Sequence, residues 1–183
     1  MRRLTKPGLT VLLIGLAGTL LAACASDDTP PPPCPVVYII ADGAKLTRFK
    51  PGPGRDIIDV LHEEEMTGFA HGCEYDLNDD GSGELTVQVV PNITSKRGPA
   101  NQSGKAEFEY FLALTDSDKK ILKKDRFPVS LTYTSNIPNL RWQPTEIHTY
   151  SIKLPAGKTG QDFNVYLGLQ LTRAEVEYER TQR

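Results

Sequence analysis

From residue 36 onward apolar and polar residues alternate with a period of two, the pattern of strands buried on one face. Leu85, Val87 and Val89 alternate with Glu84, Thr86 and Gln88. Phe108, Tyr110, Leu112 and Leu114 share a face of the next segment, and Phe127, Val129, Leu131 and Tyr133 do so against Ser130, Thr132 and Thr134. Tyr150, Ile152 and Leu154 line up within 147–154, as do Phe163, Val165, Leu167, Leu169 and Leu171 further on. The run 36–40 (VVYII) is apolar throughout and reads as a strand covered on both faces. Turn chemistry separates these runs: NDDGSG at 78–83, a Gly/Pro loop at 97–99, DSDKK at 116–120 and PAGKTG at 155–160.

Seven or eight strands in about 145 residues predict an all-β fold, an antiparallel β-sandwich of immunoglobulin-like type. A small closed β-barrel is the alternative. One short helix is expected at the end. Thr172 and Glu175 form a capping box there, and the polar EVEYERTQR that follows supports about two turns.

The first residues follow a different pattern. MRRLTKPG is a basic start, and residues 9–23 (LTVLLIGLAGTLLAA) are apolar. Fifteen residues fall short of the roughly 20 that span a bilayer, but suit the apolar core of a signal peptide. The stretch ends in Leu21-Ala22-Ala23-Cys24, which resembles the lipobox of bacterial lipoproteins. That resemblance implies cleavage after Ala23 and a diacylglycerol on the Cys24 thiol through a thioether. It also implies an acyl chain on the freed amine, and several chains together give stable anchoring. Ala25, rather than Asp, follows the lipid-bearing cysteine, which in lipoproteins points to the outer membrane, facing the periplasm; the inner membrane is the alternative. The expected organisation is therefore a signal peptide over 1–23, a proline-rich tether over 24–33 and one domain over 34–183.

Composition bounds the rest. The chain of 183 residues is 39% hydrophobic and 24% charged, enough apolar residue for one core. Its formal charge is -2, and loss of Arg2, Arg3 and Lys6 with the signal leaves an acidic domain, which argues against nucleic acid as partner. Of the three cysteines, lipidation of Cys24 leaves Cys34 and Cys73 as an even pair in an oxidising compartment. A Cys34–Cys73 disulfide is expected, with two reduced buried thiols as the alternative. The tether carries four consecutive prolines, so at about 3.1 Å per residue it reaches roughly 30 Å.

Candidate chemistry is sparse. No GxSxG, HExxH or Walker lysine motif occurs, and His62, His71 and His148 lie far apart in sequence. His71 and His148 share parity with buried positions and read as histidines at the core rim. Asp76, Asn78, Asp80 and Glu84 occupy the opening oxygen positions of a calcium loop of EF-hand type, with Gly81 at position 6. Position 12 is Val87 instead of a bidentate Glu, so a polar hairpin turn is the competing reading. Lys45, Arg48, Lys50 and Arg55 surround two Pro-Gly pairs and are candidate anion contacts, or a solvated loop. Trp142 is read as a plug for the sandwich end, with sugar stacking as the alternative.

Residues 34–56 also resemble a small group of uncharacterised envelope lipoproteins, which implies no activity. The expectation is a non-enzymatic, lipid-anchored scaffold or binding module in the cell envelope, contacting another protein or polymer through loops 50–56 and 92–104. A small-ligand or calcium-binding periplasmic domain is the second reading. No cofactor is expected beyond the lipid on Cys24.

Overall fold

The computed structural model describes residue 30 and residues 32–134 and 137–183. Cys24, the expected signal segment and most of the expected tether lie outside the described residues. Two sheets pack face to face. The first has the strand order β1 (Val36–Ile39), β9 (Phe163–Leu169), β5 (Lys105–Asp116), β6 (Ile121–Thr132). The second runs β2 (Lys45–Phe49), β3 (Val60–Leu77), β4 (Gly83–Arg97), and the far edge of β4 is shared by β7 (Asn139–Trp142) and β8 (His148–Leu154). The sheets stay open at their edges, so the expected sandwich is the fold and the closed barrel is set aside. All pairings are antiparallel except β1 with β9, which run parallel.

The period-two residues meet between the sheets. Leu85, Val87 and Val89 of β4 face Phe108, Tyr110, Leu112 and Leu114 of β5, with Val165, Leu167 and Leu169 of β9 beside them. Each such side chain contributes about 1.5–3 kcal/mol by leaving water. The helix α1 (Arg173–Thr181) starts at the expected box, with Thr172 N–H donating to Glu175 Oε2 at 2.7 Å. It lies against β2, where Tyr178 meets Phe49 edge to face at 4.9 Å between ring centroids. Among the described residues no helix is long and apolar enough to cross a membrane.

Three expectations change. The 36–40 run is an edge strand rather than a strand covered on both faces, because β1 pairs with β9 alone and leaves Val36 and Tyr38 exposed. The basic stretch begins as a strand: Lys45–Phe49 pairs with β3, so only residues after Lys50 form a loop. Residues 92–97 belong to β4, and the turn that follows is stapled inward by buried Asn101. The Asn101 amide donates to the Lys105 carbonyl at 2.8 Å, and the Arg97 guanidinium donates to the Asn101 carbonyl at 2.7 Å. A turn held this way has little freedom to serve as a contact loop.

The expected disulfide is present. Cys34 and Cys73 are bonded with their Cα atoms 5.6 Å apart, joining the approach to β1 with β3 of the other sheet. Tyr75 reinforces this corner: its hydroxyl donates to the Pro33 carbonyl at 2.6 Å and accepts from the Gly160 N–H at 2.6 Å. The chain passes so close that a Cβ on Gly160 would sit 2.3 Å from the Pro33 oxygen. The chain entering β1 is thereby fixed to the body at Pro33.

Candidate binding site

Three of the four candidate anion contacts converge. A cleft of about 270 Å³ between β2, the following loop and α1 is lined by Arg48, Phe49, Lys50, Arg55, Glu175 and Tyr178, among others. Each cation is already engaged. Arg48 pairs with Glu175 at 3.0 Å, and Lys50 with Asp59 at 2.7 Å. Arg55 donates to the carbonyls of Gly52 and Gly54 at 2.9 and 2.6 Å and lies over the Phe49 ring at 5.2 Å. The hydrogen bond from Lys50 holds the Asp59 carboxyl below its ordinary range. Lys45 is not part of this cleft; it pairs with Glu65 at 3.3 Å on the outer side of the sheet. The cleft is thus an aromatic floor flanked by two ion-paired cations and by Arg55, which is bonded to backbone carbonyls.

Beside it stands an apolar tip that sequence reading passed over. The turn Ile57–Asp59 is fixed by a reciprocal capping box between Asp56 and Asp59, and it presents Ile57 and Ile58 at 75% and 66% exposure. Two adjacent isoleucines held out by a rigid turn gain a few kcal/mol if a partner covers them. The signal was available: IID after PGPGRD is an apolar pair with no alternating partner.

The calcium residues are not gathered into a site. Asp80 accepts from the Ser82 N–H at 2.9 Å and from its hydroxyl at 2.6 Å, and these bonds hold its carboxyl low. Asn78 donates to Ser82 at 3.2 Å. Asp76 and Glu84 are register partners on β3 and β4, outside the turn. The loop is a hairpin turn closed on itself, and no group of three His, Cys, Asp or Glu able to hold a metal occurs among the described residues.

The histidines divide three ways. His71 is exposed, against expectation, although its neighbours of like parity on β3, Phe69 and Cys73, pack against the core. His148 is the rim histidine: Tyr110 O–H donates to its Nε2 at 2.5 Å, and its ring lies on Phe127 with centroids 3.9 Å apart. Trp142 packs edge-on against the same Tyr110 at 5.7 Å, half-buried as a plug. Burial holds the His148 imidazole below its ordinary value, against the pull of Glu146 and Asp125. In the unfolded chain it takes a proton near pH 6.5. Below that pH the unfolded state binds more protons, so stability falls as pH drops from about 6.5 towards the folded value. His148→Gln is expected to flatten this slope relative to the native chain, as read by thermal melts between about pH 7 and 5; parallel slopes would contradict it.

His62, to which the sequence assigns no role, is the buried one. Its Nδ1–H faces both oxygens of Glu64 at 2.9 and 2.8 Å. Ser95, the register partner of Glu64, donates to the carboxylate at 2.8 Å, and Tyr133 O–H therefore donates to Ser95 at 2.6 Å. All four lie inside the sandwich, at 5%, 2%, 1% and 5% exposure, and burial pushes the Tyr133 phenol up to about 12. Ser95 gives its proton to Glu64 and has no bond to His62, so the set is not ordered as a serine–histidine–acid relay. The network ties β3 and β4 to the end of β6.

No protein-family model matches the chain, and no curated protein matches it. Among solved structures, the variable (V) domain of the Streptococcus agalactiae AgI/II polypeptide BspA is similar over 73% of this chain and 77% of that one, at 12% identity and a TM-score of 0.18. A likeness of that degree transfers nothing about function to this chain.

Proposed function

We propose that the chain is an exported, lipid-anchored β-sandwich that acts as a non-enzymatic binding module beside a membrane. The observation that carries this reading is the cysteine pairing. Cys34 and Cys73 bond to each other, which leaves Cys24, directly after Leu-Ala-Ala, as the third cysteine. Disulfides persist in exported proteins, and a cysteine after small residues at the end of a signal segment is the acceptor of a lipid anchor. In this reading Cys24 carries diacylglycerol and an acyl chain. The protein sits at the outer membrane facing the periplasm, and its second partner is another envelope protein or polymer. The Ile57–Ile58 tip and the Phe49–Tyr178 cleft form the contact surface, since rigid exposed apolar residues beside an aromatic cleft suit a protein segment better than a free anion.

The test has two arms. In cells, the native chain is expected to partition with detergent and yield a lipidated N-terminal peptide, while Cys24→Ser moves to the aqueous phase. A Ser variant that stays membrane-bound and lipid-free would defeat the anchor. A photo-crosslinker at Ile57 should capture a discrete envelope partner, and an Ile58→Asp change should abolish capture with the melting temperature unchanged.

A further inference from the structure

Of the exposed large apolar side chains, Val36, Tyr38, Ile40 and Ile121 lie on one surface, the outward face of the β1-β9-β5-β6 sheet. The register sets them in rows. Tyr38, Tyr166, Ala113 and Lys124 are successive partners across the four strands, and the two tyrosine rings stack with centroids 5.4 Å apart. In the neighbouring row Phe111 packs against Gly168, where a Cβ would come within 3.0 Å of the ring, so this part of the face stays flat. Lys124 Nζ stands 3.9 Å over the Phe111 ring, and Arg126 is the register partner of Phe111. In this half of the sheet the outward positions of the four strands hold no carboxylate; Glu107 and Glu109 come only further along β5.

The tether reaches the body at the same end. Pro33 is held against Tyr75 and Gly160, and β1 begins at Val36, the first residue of the face. A bilayer that holds Cys24 is therefore within about 30 Å of these residues. Tyrosines prefer the headgroup level of a membrane, and lysine and arginine stems cover apolar surface while their charges meet lipid phosphates. The domain as a whole is acidic, so a cationic aromatic face on it selects one orientation.

We propose that this face is a membrane-docking surface that lays the domain flat on an anionic phospholipid bilayer. The inference rests on the anchor reading for the nearness of the bilayer, but its test does not. Residues 31–183 form one compact unit with both sheets, the disulfide and the whole core. This unlipidated unit is expected to float with vesicles of phosphatidylethanolamine containing roughly a quarter phosphatidylglycerol, and to float far less with phosphatidylcholine alone. Lys124→Gln with Arg126→Gln should reduce binding about tenfold or more, since each cation near an anionic surface contributes. Tyr38→Ser should reduce it too, whereas Lys96→Gln on the other sheet should leave it unchanged. The Lys124 and Arg126 side chains are exposed, so that variant keeps the native fold, which circular dichroism checks.

Equal flotation of native and substituted forms would overturn the proposal, as would no flotation above background. A solution dimer that Tyr38→Ser dissolves would assign the face to a second copy instead. Loss of lipidation on the full chain with vesicle binding intact would sink the anchor and leave the docking face standing.

Discussion

Replacing Cys34 and Cys73 together with serine is expected to destabilise the domain by about 4 kcal/mol, lowering the melting temperature by roughly 8–16 °C. The bridge closes a loop across a sequence separation of 39, and the cost is mainly the freedom that the unfolded chain regains. A local consequence accompanies it. β1 has four residues, pairs with β9 alone, and carries two exposed side chains on its outer face. It has little burial of its own to hold it, so it depends on the bridge to β3 and on the Tyr75–Pro33 bond. Hydrogen exchange should therefore rise at β1 amides first, under conditions where β4 and β5 remain protected. Thermal melts of the double variant and of reduced native protein should agree. A melting temperature within a degree or two of the native chain would mean that the corner is held by packing alone.

The sandwich was legible where one face of a strand is apolar and the other polar. β4, β5, β8 and β9 announce themselves by alternation because their inner residues are Leu, Val, Ile, Phe and Tyr in unbroken series. The turns between them were legible from Gly, Asp and Pro, and the helix from Thr172 and Glu175. β2 and β3 were not. The inner positions of β3 are His62, Glu64 and Met66, so two titratable groups stand where the pattern requires apolar ones, and a bulge between Met66 and Gly68 then shifts the parity. β2 hides for a related reason: its five residues include Lys45 and Arg48, whose charges are answered by Glu65 and Glu175 from distant parts of the chain. Sequence spacing gathered the cations but could not foresee their acidic partners. The converse error occurred at 36–40. A continuous apolar run means burial on both faces only if something covers the second face, and no strand within this domain does.

Truncating Glu64 to alanine is expected to cost about 3–5 kcal/mol. The carboxylate is fully enclosed, yet it accepts from His62 on its own strand and from Ser95 on the next, while Tyr133 closes the chain of bonds from the other sheet. Removing it strands a buried imidazole N–H and redirects a hydroxyl, and each polar group left buried without a partner costs its desolvation. The penalty therefore comes from what is left behind more than from the worth of the hydrogen bonds themselves, and this makes the effect separable. Glu64→Gln keeps an acceptor for one of the two donors and should lose less than half as much. Replacing the whole set at once, with His62→Phe, Glu64→Leu, Ser95→Ala and Tyr133→Phe, should recover much of the stability lost by Glu64→Ala, because apolar side chains of similar volume leave nothing unpaired. Chemical denaturation of the three forms, with a double-mutant cycle between Glu64 and Ser95, measures each part. A loss below about 1 kcal/mol for Glu64→Ala would mean that the interior admits solvent and that the network is not what joins β3 and β4 to the end of β6.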